Sequence, residues 1–263
     1  MSTTELSGSV RAELEQIGRE LAKARGAIAF TGAGISTESG LPDYRSSNGL
    51  WQNKRFEELA HVDAFEREPA AFWRFYGERL TALRGAAPNP AHLALARLEQ
   101  EGLLRGLITQ NVDGLHHAAG SQVVVELHGS LREGECLACS ARPPMAEAEA
   151  RLTASPDGVP RCDCGSPLKP AVVLFGEMLP SRAITTAVDL PRDADHMLYL
   201  GSSLRVSPAS GMPAILLENG GRVAIVNRGE TDFDVWTGVH KVEAPLALAV
   251  PVVLEAALAA RGY

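Results

Sequence analysis

Short apolar runs alternate with longer segments of helical spacing along most of this chain. The first helical segment, residues 9–25, places Val10, Leu14, Ile17 and Leu21 on one face. Further helices are expected at about 90–101, 181–189, 208–219 and 245–261. The apolar runs between them have the length of buried strands, at 27–30, 106–108, 123–125, 172–175, 197–200 and 223–226. This alternation predicts an α/β fold with a Rossmann-like parallel sheet covered on both faces.

Two regions interrupt the alternation and look like insertions into the sheet. Residues 46–88 are rich in aromatic side chains and helical in pattern, whereas residues 131–169 contain all four cysteines and few aliphatic residues. We therefore predict a single domain over 1–263 in which the two insertions form a smaller lobe. The Rossmann-like core would then be built from about 1–45, 89–130 and 170–263.

Composition and charge narrow the possible partners. A net charge of −7 in 263 residues gives no general attraction to nucleic acid or to anionic membranes. No apolar run approaches the roughly 20 residues of a membrane-spanning helix, and residues 1–16 lack the hydrophobic core of a signal peptide. We expect a cytoplasmic monomer that binds neither nucleic acid nor membrane.

The first strand runs into a glycine turn, Gly32-Ala33-Gly34-Ile35-Ser36. A strand followed by glycines and a helix start is typical of a phosphate cradle, because free backbone amides point at the anion. A dehydrogenase fingerprint would place a third glycine near Thr37, and none is there. Beyond the turn, Pro42-Asp43-Tyr44-Arg45 offers a ring and a cation beside a cofactor. Read alone, the glycine turn is a weak signal, because many tight turns have the same pattern, and the segment beyond it is also consistent with a surface loop.

Two polar motifs follow the next buried strands. Gln110-Asn111-Val112-Asp113 presents two amides and a carboxylate where open parallel sheets bind ligands. Such groups suit a carboxamide and an ordered water, or Asp113 simply caps the next helix. His128 closes the following strand and is placed to act as a general base, although a single histidine is often structural.

The cysteines form two close pairs, Cys136-x-x-Cys139 and Cys162-x-Cys164. Two such pairs about two dozen residues apart predict a tetrahedral zinc site with four thiolate ligands. A closed site of this kind has no open position, so one Zn²⁺ would be structural rather than catalytic.

With these motifs in this order, the sequence resembles the sirtuin family over nearly its whole length. Further similar segments are Val172 to Glu177, Gly201-Ser202-Ser203-Leu204 and Ile225-Val226-Asn227. The resemblance implies NAD-dependent protein deacylation in which NAD is consumed. It implies that His128 is the base, assisted by Asn111, and that the remaining NAD contacts are Gly32, Ala33, Gly34, Ile35, Thr37, Asp43, Tyr44, Arg45, Gln110, Val112, Asp113, Gly201, Ser202, Ser203 and Asn227.

The same resemblance implies how the substrate binds and reacts. An acylated-lysine peptide adds as an extended strand between two edges of the protein. The contacts expected there are Val173, Phe175, Gly176, Glu177 and Val206. The acyl oxygen attacks the ribose carbon that bears nicotinamide, nicotinamide leaves, and an imidate links the acyl group to ADP-ribose. His128 accepts a proton from the ribose hydroxyls, which then attack the imidate. Water completes the reaction, and the products are free lysine, nicotinamide and O-acyl-ADP-ribose. A loop at residues 33–50 would close over the site to exclude water.

Two other activities are compatible with these motifs. A mono-ADP-ribosyltransferase or NAD glycohydrolase would use the same cofactor pocket with a different acceptor. A non-catalytic NAD or ADP-ribose sensor is disfavoured, because His128, Asn111 and Asp113 are all present.

The preferred acyl group depends on Tyr76 and Arg79, which share one face of the helical insertion. An arginine and a phenol on one face suit a carboxylate. Sirtuins that remove succinyl or malonyl groups carry such a Tyr-x-x-Arg pair, although they tend to have alanine where this chain has Thr37. We predict a preference for acidic acyl groups with acetyl removal retained. The alternative is that Tyr76 only packs in the lobe and Arg79 is solvated.

Overall fold

The computed structural model describes residues 5–46, 49–205 and 209–262. Its larger part is a six-stranded parallel sheet in the order β3-β2-β1-β6-β7-β8. The strands of this sheet are β1 (Ala27–Thr31), β2 (Leu107–Thr109), β3 (Val124–Glu126), β6 (His196–Leu200), β7 (Arg222–Val226) and β8 (Val239–Val242). The predicted Rossmann-like parallel sheet is therefore confirmed.

Helices cover both faces of the sheet because successive side chains of the buried strands are apolar, and successive side chains point to opposite faces of a sheet. Ala27 and Ala29 of β1 face a cluster shared with α1 (Gly8–Lys23), α5 (Pro90–Gln100) and α10 (Leu246–Arg261). Ile28 and Phe30 face the opposite cluster, which includes α8 (Ser181–Asp189) and α9 (Met212–Glu218). All five helices lie where the sequence predicted them. No helix in the described part of the chain is long and apolar enough to cross a membrane.

The smaller lobe has its own sheet and core. Strands β4 (Gly129–Cys136) and β5 (Leu168–Val172) pair antiparallel, and α2 (Lys54–Leu59), α3 (Val62–Arg67), α4 (Pro69–Arg84) and α7 (Met145–Ala154) pack around them. The fully buried Trp73 of α4 donates from its indole nitrogen to the Leu168 carbonyl at 2.7 Å. This bond joins the helical insertion to the cysteine-bearing one. Outside this lobe, a short helix, α6 (Leu115–Ala118), comes after strand β2 along the chain.

The prediction for residues 172–175 is wrong. Val172 ends β5 in the two-stranded sheet, and residues 173–175 form no strand. Val172 and Leu174 pack in the core of the smaller lobe, so the lobe extends past the predicted end at 169. A four-residue apolar run shows that a segment is buried but does not reveal which sheet it joins. Strand β8 was missed for a related reason, since His240 and Lys241 give this edge strand no continuous apolar run.

Candidate active site

A cleft of about 1070 Å³ lies where the ends of the main strands face the smaller lobe. Most residues predicted to bind cofactor or substrate line it together. These are Ala33, Gly34, Thr37, Asp43, Tyr44, Arg45, Tyr76, Arg79, Gln110, Asn111, Val112, His128, Val173, Phe175, Gly176, Glu177, Gly201, Ser202, Ser203 and Asn227. The predicted substrate residue Val206 falls outside the described residues.

The glycine turn after β1 packs tightly against the loop after β6. The amide of Gly34 donates to the Gly201 carbonyl at 2.9 Å, and a Cβ on Gly34 would come within 2.7 Å of the Gly201 Cα. Glycine is thus needed at these positions because the two backbones approach too closely to leave room for a side chain. The helix start that the sequence predicted here is a 3₁₀ helix, Ala33–Ser39, which begins within the turn itself. Within this region, Gly32 and Ile35 do not line the cleft, and the Ile35 side chain is fully buried in the core.

Three polar side chains form a hydrogen-bonded group at the inner end of the cleft. The Asn111 Nδ2 donates to Ser36 Oγ at 3.1 Å, and Ser36 Oγ donates to Asp113 Oδ2 at 2.7 Å. All three line a side pocket of about 180 Å³ that also borders the cleft residues Ala33 and Val112. Asp113 Oδ1 additionally accepts from the Leu115 amide at 2.9 Å. The two interpretations of Asp113, as a pocket residue and as a helix cap, are therefore compatible.

Ser36 was not among the residues assigned a role from the sequence, although it belongs to the glycine motif. Its side chain is almost completely buried and connects Asn111 to Asp113. A small hydroxyl residue within a cofactor-type turn is the signal that would have identified it.

A second buried chain of hydrogen bonds supports the backbone of Asn111. The Asn111 amide donates to Thr109 Oγ1 at 3.0 Å, and Thr31 Oγ1 donates to the same oxygen at 2.8 Å. His116 Nε2 lies 2.9 Å from Thr31 Oγ1. Burial holds the pKa of His116 well below its ordinary value, so this histidine is neutral and structural. These contacts cross three segments of the chain and were not visible in the sequence.

His128 is held in a defined orientation and tautomer. Its Nδ1 lies 3.0 Å from the Gln110 carbonyl, which can only accept, so Nδ1 carries the proton and Nε2 is left as the basic atom. Burial lowers the pKa of His128 below its usual value, while the hydrogen bond to Gln110 opposes this shift. A neutral imidazole with its basic nitrogen free is the form that a general base requires.

Cations and a polar loop border the other end of the cleft. Burial and the nearby Arg205 lower the pKa of Arg45, yet an arginine stays charged at neutral pH. Two guanidinium groups at the cleft wall suit a diphosphate. Asn227, at the end of β7, donates from Nδ2 to the Arg228 and Gly229 carbonyls at 2.9 and 3.3 Å. These bonds shape the loop that closes this end of the cleft.

Arg79 enters the cleft with its charge incompletely satisfied. One terminal nitrogen donates to the Tyr44 hydroxyl at 2.7 Å, and the guanidinium carbon lies 5.4 to 5.8 Å from the rings of Tyr44, Phe75 and Tyr76. Its Nε is buried without a hydrogen-bond partner. Within the described residues, no carboxylate forms an ion pair with Arg79. The interpretation of Arg79 as a solvated helix residue is not compatible with this environment.

The four cysteine sulfurs converge on one point. All lie within 4.8 Å of one another, and the shortest separations are 3.5 Å, for Cys136–Cys164 and for Cys139–Cys162. A tetrahedral Zn²⁺ with sulfur ligands at about 2.3 Å separates them by about 3.8 Å, so the set fits this ion. The ion would join the end of β4 to the turn at 162–164. With four thiolates it has no open position and a purely structural role.

Replacing one ligand tests this zinc site. We expect Cys136→Ser to lower zinc content and the thermal unfolding midpoint together, because binding energy at such a site is also folding energy. Elemental analysis and a thermal melt of the same sample measure both quantities. A pure, active wild-type sample that contains no zinc would contradict the assignment.

Comparison with known proteins places this arrangement in a family. A model of the Sir2 family matches residues 32–208. An NAD-dependent protein deacetylase of Sulfolobus acidocaldarius is 47% identical over 224 residues, which are 85% of this chain and 87% of the relative. An NAD-dependent protein deacylase of Pyrococcus furiosus is 47% identical over 215 residues, 81% of this chain and 86% of the relative.

Solved structures agree with the sequence relatives. A Sir2 protein with a p53 peptide and NAD⁺ superimposes with a TM-score of 0.81 at 40% identity, covering 90% of this chain and 95% of the other. A Sir2 protein bound to an acetylated peptide gives a TM-score of 0.80 at 39% identity, covering 89% and 94%. The match extends over both the sheet and the smaller lobe, and this chain belongs to the Sir2 family.

Proposed function

We propose that this protein removes acyl groups from protein lysines with consumption of NAD, giving nicotinamide and O-acyl-ADP-ribose. The observation that carries the proposal is that the free Nε2 of a neutral His128 shares the cleft with Asn111, which also lines the side pocket together with Ser36 and Asp113. Relatives named as NAD-dependent protein deacetylase and deacylase support it.

Each part of the cleft suits one part of NAD. The amide of Asn111 and the carboxylate of Asp113 offer a donor and an acceptor for a carboxamide, and the apolar walls of the side pocket suit a flat ring. Arg45 and Arg205 attract the diphosphate. Ser202 and Asn227, at the ends of β6 and β7, lie where an open parallel sheet holds the adenosine half of a dinucleotide.

In the reaction, His128 accepts a proton at Nε2 from a ribose hydroxyl while its Nδ1–H remains bonded to the Gln110 carbonyl. Gln110 is itself fixed, because Ser202 Oγ donates to its Oε1 at 2.9 Å. Burial keeps the imidazole neutral before this step and excludes water that would compete with the acyl oxygen.

The acyl-lysine peptide binds as an extended strand along residues 173–177, named here the substrate edge. Phe175 is already paired on its other side, since its amide donates to the Ala60 carbonyl and its carbonyl accepts from the Val62 amide, both at 2.9 Å. Both backbone groups of Leu174 are bonded to Glu177, so an incoming strand pairs with the Val173 carbonyl and with the backbone of Gly176. Solved Sir2 proteins with acetylated and propionylated peptides support a peptide in this role.

The acyl group is acidic, a succinyl or malonyl group, with acetyl removal as a second activity. A buried guanidinium without an anionic partner is unfavourable. Arg79 lines the cleft, and its buried Nε has no hydrogen-bond partner. A carboxylate at the end of the acyl chain would accept from Arg79 and from the hydroxyl of Tyr76. Thr37, which also lines the cleft, narrows it without supplying an opposing charge.

One assay tests the function against its alternatives. The protein is incubated with NAD and with acetyl- or succinyl-lysine peptides of equal sequence, and the products are identified by mass spectrometry. Deacylated peptide together with O-acyl-ADP-ribose supports the proposal. ADP-ribosylated protein, free ADP-ribose alone, or binding without turnover would instead indicate a transferase, a glycohydrolase or a sensor.

The compartment follows from the same chemistry. Four cysteines that hold zinc as thiolates suit a reducing compartment. We therefore predict a cytoplasmic location, which cell fractionation checks. A monomeric state is a separate prediction, which light scattering checks.

The pH dependence of the reaction follows from His128. Because burial depresses its pKa from the ordinary 6.5, the imidazole stays neutral and basic to lower pH than a free histidine. Activity is lost as the pH falls through this depressed value. We expect the acidic limb of the kcat/KM profile, which reports on the free enzyme, to lie below pH 6.5. An acidic limb above 6.5 would contradict the assigned environment of the base.

A further inference from the structure

One lysine lies inside the smaller lobe with its ammonium group buried. The side chain of Lys169, in β5, is only 2% exposed. Its Nζ donates to the Val172 carbonyl at 2.7 Å and to Glu177 Oε2 at 3.1 Å. It also lies 3.5 Å from the Pro170 carbonyl and 3.6 Å from Glu135 Oε2. Burying an ammonium costs desolvation that an apolar side chain would avoid, so these contacts require an explanation beyond packing.

The contact with Glu177 fixes the turn of the substrate edge. Glu177 Oε2 accepts from the Leu174 amide at 2.8 Å as well as from Lys169. The Glu177 amide donates back to the Leu174 carbonyl at 3.0 Å. One carboxylate oxygen therefore closes the turn, and Lys169 holds that oxygen in place from the interior.

The contact with Val172 connects Lys169 to the backbone of His128. Lys169 binds the carbonyl of the last residue of β5, and the next amide, that of Val173, donates to the His128 carbonyl at 2.8 Å. The start of the substrate edge and the backbone of His128 are thus joined one residue away from the ammonium group. No side-chain atom of Lys169 touches the cleft, which Val172 and Glu177 line.

The other end of the network reaches the cysteine site. In the β4–β5 pair, Glu135 stands opposite Lys169 and Cys136 stands opposite Leu168. The residue that holds the substrate edge is therefore one register position away from a zinc ligand.

We propose that Lys169 is a positioning residue that sets the substrate edge for the acyl-lysine peptide and aligns it with His128. The proposal rests on the proposed function, because that function assigns the peptide to residues 173–177. Lys169 acts through the Val172 carbonyl and the Glu177 carboxylate and touches no reacting atom.

The test compares Lys169→Met with Lys169→Arg and with a matched control, Lys241→Met. Lys241 is also a largely buried, ion-paired lysine, bound to Asp234 in the main sheet domain far from the substrate edge. Affinity for a fluorescein-labelled succinyl-lysine peptide is measured by anisotropy, and the KM values for peptide and NAD are measured separately. We expect Lys169→Met to weaken peptide affinity about tenfold, as residues without ligand contact can. The KM for NAD should stay near its wild-type value.

Two comparisons separate positioning from general stability. Lys169→Arg should recover part of the peptide affinity, and Lys241→Met should lower the unfolding midpoint without changing peptide affinity. Unchanged peptide affinity in folded Lys169→Met, or equal losses in both methionine variants, would overturn the proposal. If Lys169→Met does not fold, Glu177→Gln decides, since it keeps the lysine and removes its charged partner. Wild-type affinity in that variant would also overturn it, whereas a wild-type protein that binds neither this peptide nor its acetyl-lysine counterpart would refute the proposed function itself.

Discussion

Replacing His128 by alanine should reduce deacylation by about a hundredfold or more in turnover while NAD still binds. The expected loss is large because no other described side chain in the cleft offers a comparable base. In His128, the hydrogen bond from Nδ1 to the Gln110 carbonyl orients the ring and leaves Nε2 as the basic nitrogen. Binding of NAD should persist, since the groups suited to its diphosphate and carboxamide, among them Arg45 and Asn111, are not altered. Steady-state kinetics and calorimetric titration with NAD measure the two effects.

His240→Ala is the matched control for this variant. His240 is partly buried in β8 and lies 3.4 Å from Glu13, away from the cleft. Its replacement should leave turnover close to the wild-type value. Near-normal turnover in the His128 variant would refute the assignment of the base, and loss of NAD binding would show that His128 has a role in binding instead.

The second large effect is expected from Arg79→Met, which should depress desuccinylation far more than deacetylation. Methionine keeps much of the apolar stem against Phe75 and Tyr76 but removes the charge. Loss of a buried partner for the acyl carboxylate should cost roughly 2–5 kcal/mol, or about 30-fold to several thousand-fold in kcat/KM for the succinyl peptide. Removal of acetyl groups, which carry no charge, should change much less.

Arg74→Met provides the control on the same helix. Arg74 is exposed on α4 and should affect neither substrate. Equal losses on succinyl and acetyl peptides in the Arg79 variant would show that the residue is only structural. A wild-type enzyme that does not act on succinyl-lysine would remove the acidic-acyl assignment but not the deacylase function.

The sequence predicted local structure well wherever the residues that determine a feature lie within one short segment. The apolar runs of β1, β6 and β7 are buried whatever lies beside them, so their burial could be inferred from composition alone. The cysteine spacing likewise predicted four ligands that the fold brings within 4.8 Å of one another. His128 and Asn111 could be proposed because each lies two positions after a short strand, and the ends of parallel strands meet at one edge of a sheet.

Contacts between distant segments could not be predicted in this way. The bond between Arg79 and the Tyr44 hydroxyl joins residues 35 positions apart, and the pattern of α4 alone left open whether Arg79 is solvated. The apolar run at 172–175 was assigned to the wrong sheet, because burial in a small antiparallel pair and in a large parallel sheet selects the same side chains.

The sequence by itself therefore determined the parallel sheet and the four cysteines of the metal site, and it predicted the base and the amide motif. The polar predictions depend on residue type and on position near the end of a strand, whereas the metal site depends on the spacing of the cysteines. Only the tertiary structure decided that Ile35 faces the core, that Ser36 links Asn111 to Asp113, and that the buried Lys169 bonds to the Val172 carbonyl and to Glu177. These facts depend on which segments pack together, and packing is set by the free energy of the whole fold rather than by any one segment.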